Sequence, residues 1–414
     1  MTKIIPFKGL RPQSKFAAQV ATLPYDVVNT AEAKAVAKDP LNFYHVTRAE
    51  IDVPDNMSPY DNQVYQKAKD NLEKLIEEGV LFYDEDPCYY VYELTMNGRS
   101  QCGLIAGSSI DDYNNGVIKK HEFTRPEKEL DRINHIKITK AQTGIVFLAY
   151  KDHNEVQTII KDWKAAHAPA YDFVSEDGIG HRFWVINEYS KVAHISLLFA
   201  EEVEATYIAD GHHRAASAAK VAEYMRESDL PVSGEEAFNY FITAIFPASE
   251  LAILDYNRVV KDLNGLSTEQ FLQALQQDFI LSKESNEQPY RPQTAHEFGM
   301  YLDGQWYCLK AKDGSFQNDV INVLDVSILQ NNILSKLLNI NDPRTDKRLD
   351  FVGGIRGLKE LEHRVNSGDM AAAFSCYPVS IQQLFDIADQ SQVMPPKSTW
   401  FEPKTRDGLV VYTI

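Results

Sequence analysis

The chain has 414 residues, 44% apolar and 24% charged, with a formal net charge of -17. That length calls for more than one core, and the acidic balance without a long Lys/Arg run sets nucleic acid aside as a partner, because such binding draws its affinity from cations on phosphates. No apolar run is long enough to cross a bilayer and the opening Met1–Pro6 lacks an apolar signal core, while Cys88, Cys102, Cys308 and Cys376 form no C-x-x-C pair, which argues against a cysteine zinc site and points to reduced thiols in the cytosol.

The chain opens irregularly, with Pro6, Lys8, Arg11 and Pro12 followed by Leu23-Pro24-Tyr25-Asp26. Ser58 as N-cap and Pro59 at the first helical position predict a helix with the stripe Val64, Ala68, Leu72, Leu75 and Ile76, closed by Gly79. Cys88–Met96 and Gln101–Ile110 read as hairpin strands around Asn97-Gly98, a pair suited to the positive φ angles of a tight turn. Strands are then predicted at Ile145–Tyr150, Phe183–Ile186, His194–Phe199, Thr206–Ala209 and Phe238–Phe246. Helices are predicted from Thr124, which has capping-box spacing to Glu127, and from about His213. The last part reads as α+β. It has a hairpin through Asp303-Gly304, a helix after Asp325 carrying Ile328, Leu329, Ile333, Leu334 and Leu337, and a helix start at Ser380 with Gln383. A proline-rich irregular tail, Met394 to Lys404, carries aromatics that suit packing onto the body. The fold class expected is α/β (α+β): a central mixed sheet with additional N- and C-terminal α+β lobes, divided as 1–100, 101–265 and 266–414.

The densest chemistry follows the Thr206–Ala209 strand, in Asp210-Gly211-His212-His213-Arg214. A helix N-terminus presents backbone N–H groups and a partial positive charge, which makes it an anion site suited to phosphate. Gly211 allows close backbone approach, and Arg214 can grip a phosphate through two parallel hydrogen bonds. His213 adds a donor, while His212 and Asp210 are candidates for acid–base work, Asp210 also for orienting a histidine or holding Mg²⁺. The competing reading is that Asp210 only caps the helix and the histidines only pack. Two histidines and an arginine oppose the dipole in a first turn, so capping alone explains them poorly.

A second group runs from Lys119-Lys120-His121-Glu122 into a helix with Asp131, Arg132 and His135. Glu122 or His121 is a candidate base, and Lys119, Lys120 and Arg132 are candidate phosphate contacts. For Glu127, Lys128 and Glu129 a solvated, salt-bridged helix face is the better reading. No second histidine completes an H-E-x-x-H motif. Arg11, Asp26, Arg48 and Glu50 are candidates by loop placement, as are Lys397, Ser398 and Lys404 in the tail. Gly353-Gly354, flanked by Arg348 and Arg356, lacks Walker A and Rossmann spacing and reads as a plain loop.

Ala209–Arg214 resembles the phosphate-binding box of the ParB/sulfiredoxin-like superfamily, whose free-serine kinases carry Asp-Gly-His-His-Arg. More broadly the chain is similar to a bacterial and archaeal family of unknown function often labelled ParB-like. The shared segments are the Pro6–Pro12 opening, Leu23–Val28, the Lys119–Glu122 stretch, the box, and Pro396-Lys397-Ser398-Thr399, together spanning nearly the whole chain. The resemblance implies a ParB/sulfiredoxin-like core holding nucleotide phosphates or a phosphorylated metabolite, with Mg²⁺ and ADP or ATP as cofactors. It also implies phosphoryl transfer, in either direction, between a nucleotide or pyrophosphate and a small hydroxyl metabolite, serine or phosphoserine first. In the kinase members a glutamate accepts the proton of the serine hydroxyl; no local motif carries that role over, and chemistry gives it to Glu122. The chain departs from partition ParB proteins in its acidity and in lacking a basic recognition helix after the box. Two other readings stay open: a nucleotide-binding regulator without turnover, and a metal-dependent phosphatase using His121, Asp210 and His212.

Overall fold

Tyr89–Met96 and Arg99–Ser109 form a hairpin whose turn residues, Asn97 and Gly98, sit at φ 52° and 78°, the left-handed pair that matches strand twist. This hairpin seeds a mixed sheet. Beyond Arg99–Ser109 lie Tyr240–Pro247, Val146–Tyr150, Thr206–Asp210 and Ile118–Lys119; beyond Tyr89–Met96 lie Gly180–Ile186 and Tyr171–Val174. Ile4–Ile5 adds antiparallel to Arg99–Ser109. Two pairings are parallel, Val146–Tyr150 with Tyr240–Pro247 and Ile118–Lys119 with Thr206–Asp210. Val146–Tyr150 and Tyr240–Pro247 are buried at every position, as continuous apolar strands covered on both faces must be.

The computed structural model describes residues 1–228, 233–285 and 288–414. Met1–Leu251 with Pro403–Ile414 form one compact unit and Ala252–Glu402 a second. In the first, the helices Asn154–Ala166, Tyr189–Glu202 and His212–Arg226 bury Trp163, Phe199 and Ala215 in one apolar cluster with Tyr89, Val91 and Leu104 of the sheet. Alternation sends Tyr90 and Tyr92 to the opposite face, where both rings approach Phe183. The C-terminal residues are woven into this unit. Asp407 bridges Thr22, Val411 bridges Leu10, and Tyr412–Thr413 pairs with Ala141–Gln142. The second unit is built on a six-stranded antiparallel sheet in the order Phe279–Lys283, Gln305–Ala311, Glu297–Leu302, Ala372–Cys376, Tyr256–Val260, Leu349–Gly353. Its hairpin turn is Asp303-Gly304, at φ 47° and 74°, and Ser380 with Gln383 makes a full capping box.

Several expectations give way to the structure. The expected strand at His194–Phe199 lies inside the helix Tyr189–Glu202; its buried Ile195, Leu198 and Phe199 are spaced i, i+3, i+4, and a six-residue, mainly apolar run alone does not separate the two periods. The helix expected from Thr124 spans Pro126–Thr139 with proline at its first position and no side-chain cap, because proline is pre-set for that place. Asp61, not Ser58, caps Asn62–Glu77, accepting from Gln63 N at 2.9 Å. The helix after Asp325 spans Asp325–Leu329 and continues as a π-helix, Gln330–Ser335. Gly353 closes a strand instead of lying in a loop, and a Cβ on it would meet the Trp400 ring at 2.7 Å, so its bare backbone serves packing. The tail contains a short strand, Trp400–Phe401, paired with Ile253–Leu254. The expected three-way division does not follow the two units: residue 100 lies within the strand Arg99–Ser109.

Phe246 is fully buried, stacks on Phe147 at 4.3 Å, and lies where a Cβ on Gly103 would clash at 2.8 Å. Phe246→Ala is expected to cost about 3–5 kcal/mol, read from urea unfolding; a loss under about 1 kcal/mol would contradict this packing.

Candidate functional site

The strand Thr206–Asp210 delivers Asp210 to the sheet edge, and Gly211, at φ 94° and ψ 30°, turns the chain into the helix His212–Arg226. A side chain is strained at that φ, and a Cβ on Gly211 would also sit 3.1 Å from the Arg214 guanidinium. The turn therefore depends on glycine twice over. The alanines that follow, Ala215, Ala216, Ala218, Ala219 and Ala222, are all buried, which lets this helix lie close against the sheet.

The parallel pairing of Ile118–Lys119 with Thr206–Asp210 carries the second group to the first. His121 and His212 meet edge to face, ring centroids 4.6 Å apart at 88°. The His121 backbone N–H donates to His212 Nε2 at 3.5 Å, and His212 Nδ1 lies 3.6 Å from Glu122 Oε2. With Nε2 as acceptor, the neutral ring carries its proton on Nδ1 and turns it toward Glu122. The Arg125 N–H donates to His213 Nε2 at 3.0 Å. Ser217 Oγ donates to the Glu129 carbonyl at 3.1 Å, and Lys220 pairs with Glu129, so the helices Pro126–Thr139 and His212–Arg226 are tied alongside each other.

Burial governs the histidines. It pushes the His121 pKa down to about 4 and that of His212 well below the usual imidazole range, with His121 adding to the effect on His212. His213 is lowered for the same first reason. Asp210 is the opposite case. Burial opposes its ionisation, yet Lys404 Nζ at 3.3 Å and Arg214 Nη2 at 3.1 Å hold it far below the usual carboxylate range. Asp210 stays charged and its histidine neighbours stay neutral.

Arg214 is the main surprise among the candidates. Its side chain is 6% exposed, and it donates to the Ile145 carbonyl and to Asp210, with Asp26 at 3.7 Å. It points inward as a brace for Asp210, not outward as a phosphate clamp. Arg132 is also buried, paired with Asp131 at 2.8 Å, its guanidinium over the Tyr25 ring at 4.0 Å. Arg132, Arg214 and Tyr25 line one small cavity of about 20 Å³. Arg132 also lines a cleft of about 320 Å³ with Arg48, Glu50, Tyr60, Lys128 and Asp131, so Arg48 and Glu50 share a cleft with Arg132. Glu122 is 46% exposed and Asp210 33%, placing both carboxylates within reach of a ligand. Lys120 lies over the Tyr113 ring at 3.7 Å.

Other candidates are engaged elsewhere. Arg11 forms a bidentate pair with Asp84 and lies over Phe82. Lys397 and Ser398 belong to the second unit; Lys397 Nζ is 5.7 Å from the Tyr256 ring and Ser398 Oγ donates to the Pro395 carbonyl at 2.6 Å. Asp407 went unnoticed in the sequence, and Lys404 was only one of several tail residues. Both act across nearly 200 positions, which no local pattern reveals. Among the described residues no group of three or more His, Cys, Asp or Glu side chains is arranged to hold a metal ion. A magnesium ion arriving with a nucleotide would need only one or two carboxylates, since phosphates and water supply its remaining ligands.

A family model described as "Protein of unknown function (DUF1015)" matches residues 4–327. No curated protein matches the sequence. Among solved structures, a free serine kinase mutant in complex with AMP is 10% identical at TM-score 0.37, covering 74% of this chain and 91% of that one. A conserved hypothetical protein from Pyrococcus furiosus is 12% identical at TM-score 0.35, covering 74% and 93%. SbnI with a C-terminal truncation, from Staphylococcus aureus, is 10% identical at TM-score 0.36, covering 74% and 86%. Likeness of this degree leaves the chemistry to the site's own residues.

A buried neutral His121 has a sign for stability. In the unfolded chain its pKa is about 6.5 and in the folded chain about 4, so the unfolded state takes up protons that the folded state refuses as pH falls through that window. The contribution of His121 to stability is therefore full above pH 6.5 and is lost toward pH 4. His121→Gln is expected to reduce the decline by about 1 kcal/mol per pH unit, measured by urea unfolding across that range; identical slopes in the two proteins would refute burial of a neutral imidazole.

Proposed function

The chain belongs to the DUF1015 family, and we propose that this member is a phosphotransferase moving a phosphoryl group between a nucleotide or pyrophosphate and a small hydroxyl metabolite, with serine or phosphoserine as the first choice. The observation that carries this reading is a half-exposed carboxylate, Glu122, held beside the N-terminus of a fifteen-residue helix through its contact with His212. Phosphoryl transfer asks mainly for positioning and charge neutralisation. In this reading the helix N-terminus after Gly211 receives the phosphate oxygens. Asp210, pinned by Lys404 and Arg214, fixes the turn so that those N–H groups keep their aim. Neutral His212 orients Glu122 without adding a competing charge, and Glu122 accepts the proton of the attacking hydroxyl as the oxygen–phosphorus bond forms.

The cleft lined by Arg48, Glu50, Lys128, Asp131 and Arg132 alternates cations and carboxylates over a short distance. That pattern suits a zwitterionic acceptor such as serine, its carboxylate toward a guanidinium and its ammonium toward Glu50 or Asp131.

The test is ³¹P NMR of purified protein with Mg²⁺ and either serine or O-phosphoserine, with and without ADP, ATP or pyrophosphate. Interconversion that requires a nucleotide or pyrophosphate is expected. Glu122→Gln should slow it by roughly 10²–10⁴-fold while leaving nucleotide affinity within a few-fold. Turnover with metal alone would identify a phosphatase instead, binding without turnover in any mixture a regulator, and full activity in the Glu122→Gln protein would remove Glu122 from the base role.

A further inference from the structure

Beneath the Asp210–Gly211 turn lie two buried groups of opposite charge, Arg214, which braces Asp210, and Asp407, which the proposed reaction does not use. Asp407 is 0% exposed, and neither carboxylate oxygen is in hydrogen-bond geometry with a donor; Arg214 Nε is likewise buried without a hydrogen-bond partner. They are close. One point in space, where a Cβ on Gly144 would lie, is 3.0 Å from Arg214 Cδ and 3.8 Å from Asp407 Oδ1, so those atoms are less than about 7 Å apart. Buried polar groups are almost always satisfied, and a buried charge keeps its cost unless a partner offsets it. Glycine at 144 is also what leaves the Arg214 stem its room.

We infer that Asp407 is a positioning residue acting through Arg214: its charge state decides how much of the guanidinium's positive charge is left to the Asp210–Gly211 turn, and so how tightly the turn holds an anion. With Asp407 ionised, Arg214 divides its charge among Asp407, Asp26 and Asp210. With Asp407 protonated, the same cation faces one carboxylate fewer, and the helix N-terminus above it becomes more attractive to phosphate. The groups facing Asp407 come from four other elements: Arg214 from its helix, Arg132 from Pro126–Thr139, Tyr25 and Asp26 from Tyr25–Val27, and Tyr44 from Tyr44–Thr47. Burial pushes the Asp407 carboxyl up to about 7 against the pull of Arg214, with Asp26 reinforcing the rise and Arg132 opposing it. The switch therefore operates near neutrality, well above the range of the buried histidines.

This inference rests on the anion-site part of the proposed function, and two measurements keep their failures apart. The first follows the Arg214 Nε–Hε NMR signal from pH 5 to 9. It should titrate with one midpoint in the wild-type chain and stay flat in Asp407→Asn; a flat wild-type signal would overturn the inference whatever the anion does. The second measures sulfate, a probe of fixed charge over this range, by calorimetry. The wild-type chain should bind sulfate roughly five- to tenfold more tightly at pH 5.5 than at 8.5, and Asp407→Asn should hold the tighter value at both. A purely structural Asp407 would instead lower the melting temperature of the Asn variant and leave the pH dependence of sulfate binding unchanged, which also overturns the inference. A titrating Arg214 signal with no sulfate binding at any pH refutes the anion site and, with it, the role of Asp407 in tuning it.

Discussion

The carboxylate of Asp210 is the fixed point of the first unit's chemistry. It takes one cation, Arg214, from the helix that it precedes and another, Lys404, from 194 residues further along the chain. Each of these charges would be costly below the surface alone, and together they are tolerable only in a definite arrangement. The arrangement demands that strand, left-handed glycine, helix and C-terminal segment all be in place. The segment Pro403–Ile414 is accordingly stitched in by backbone pairing at Thr22, Leu10 and Ala141–Gln142. Fixed geometry is what the proposed phosphoryl transfer requires.

From that point the division of labour among the box residues follows. Since Arg214 is committed to Asp210 and the Ile145 carbonyl, a ligand at the proposed site would meet backbone N–H groups at the helix N-terminus and not a guanidinium fork, with Arg214 acting from beneath through its charge. The histidines, desolvated and neutral, act as oriented hydrogen-bonding rings. His212 in particular links the backbone of one segment, through its Nε2, to the acid group of the same segment, through its Nδ1. What remains accessible is Glu122 and the edge of Asp210, which is why the exposed carboxylate carries the proposed proton transfer.

Much of this was legible in the sequence. Asn97-Gly98 and Asp303-Gly304 specify their hairpins because few residues accept two successive positive φ angles, and the strand–Asp-Gly–helix pattern marked the box itself. Local chemistry was legible; direction and distance were not. A string of letters shows that Arg214 is a cation one turn into a helix, but whether it faces solvent or core depends on Gly144, Asp26 and Asp210 around it. Asp407 was missed because its meaning lies in what surrounds it, namely Arg214 and Arg132 from distant helices. The misread at His194–Phe199 has a different origin: a short apolar run satisfies the strand and helix periods equally, and burial against the sheet decided for helix. The two compact units divide the chain differently from the three expected lobes, because the chain's last residues return to the unit in which it began.

The central claim is that the turn after Gly211 receives a phosphate, and the most direct measurement is a ¹⁵N-edited NMR titration of the intact chain with pyrophosphate. The account predicts that the backbone amides of Gly211, His212, His213 and Arg214 move most, saturably and together with the Glu122 amide, while signals of the second unit stay still. Saturable binding that leaves those four amides unmoved, or no binding at all, would contradict it.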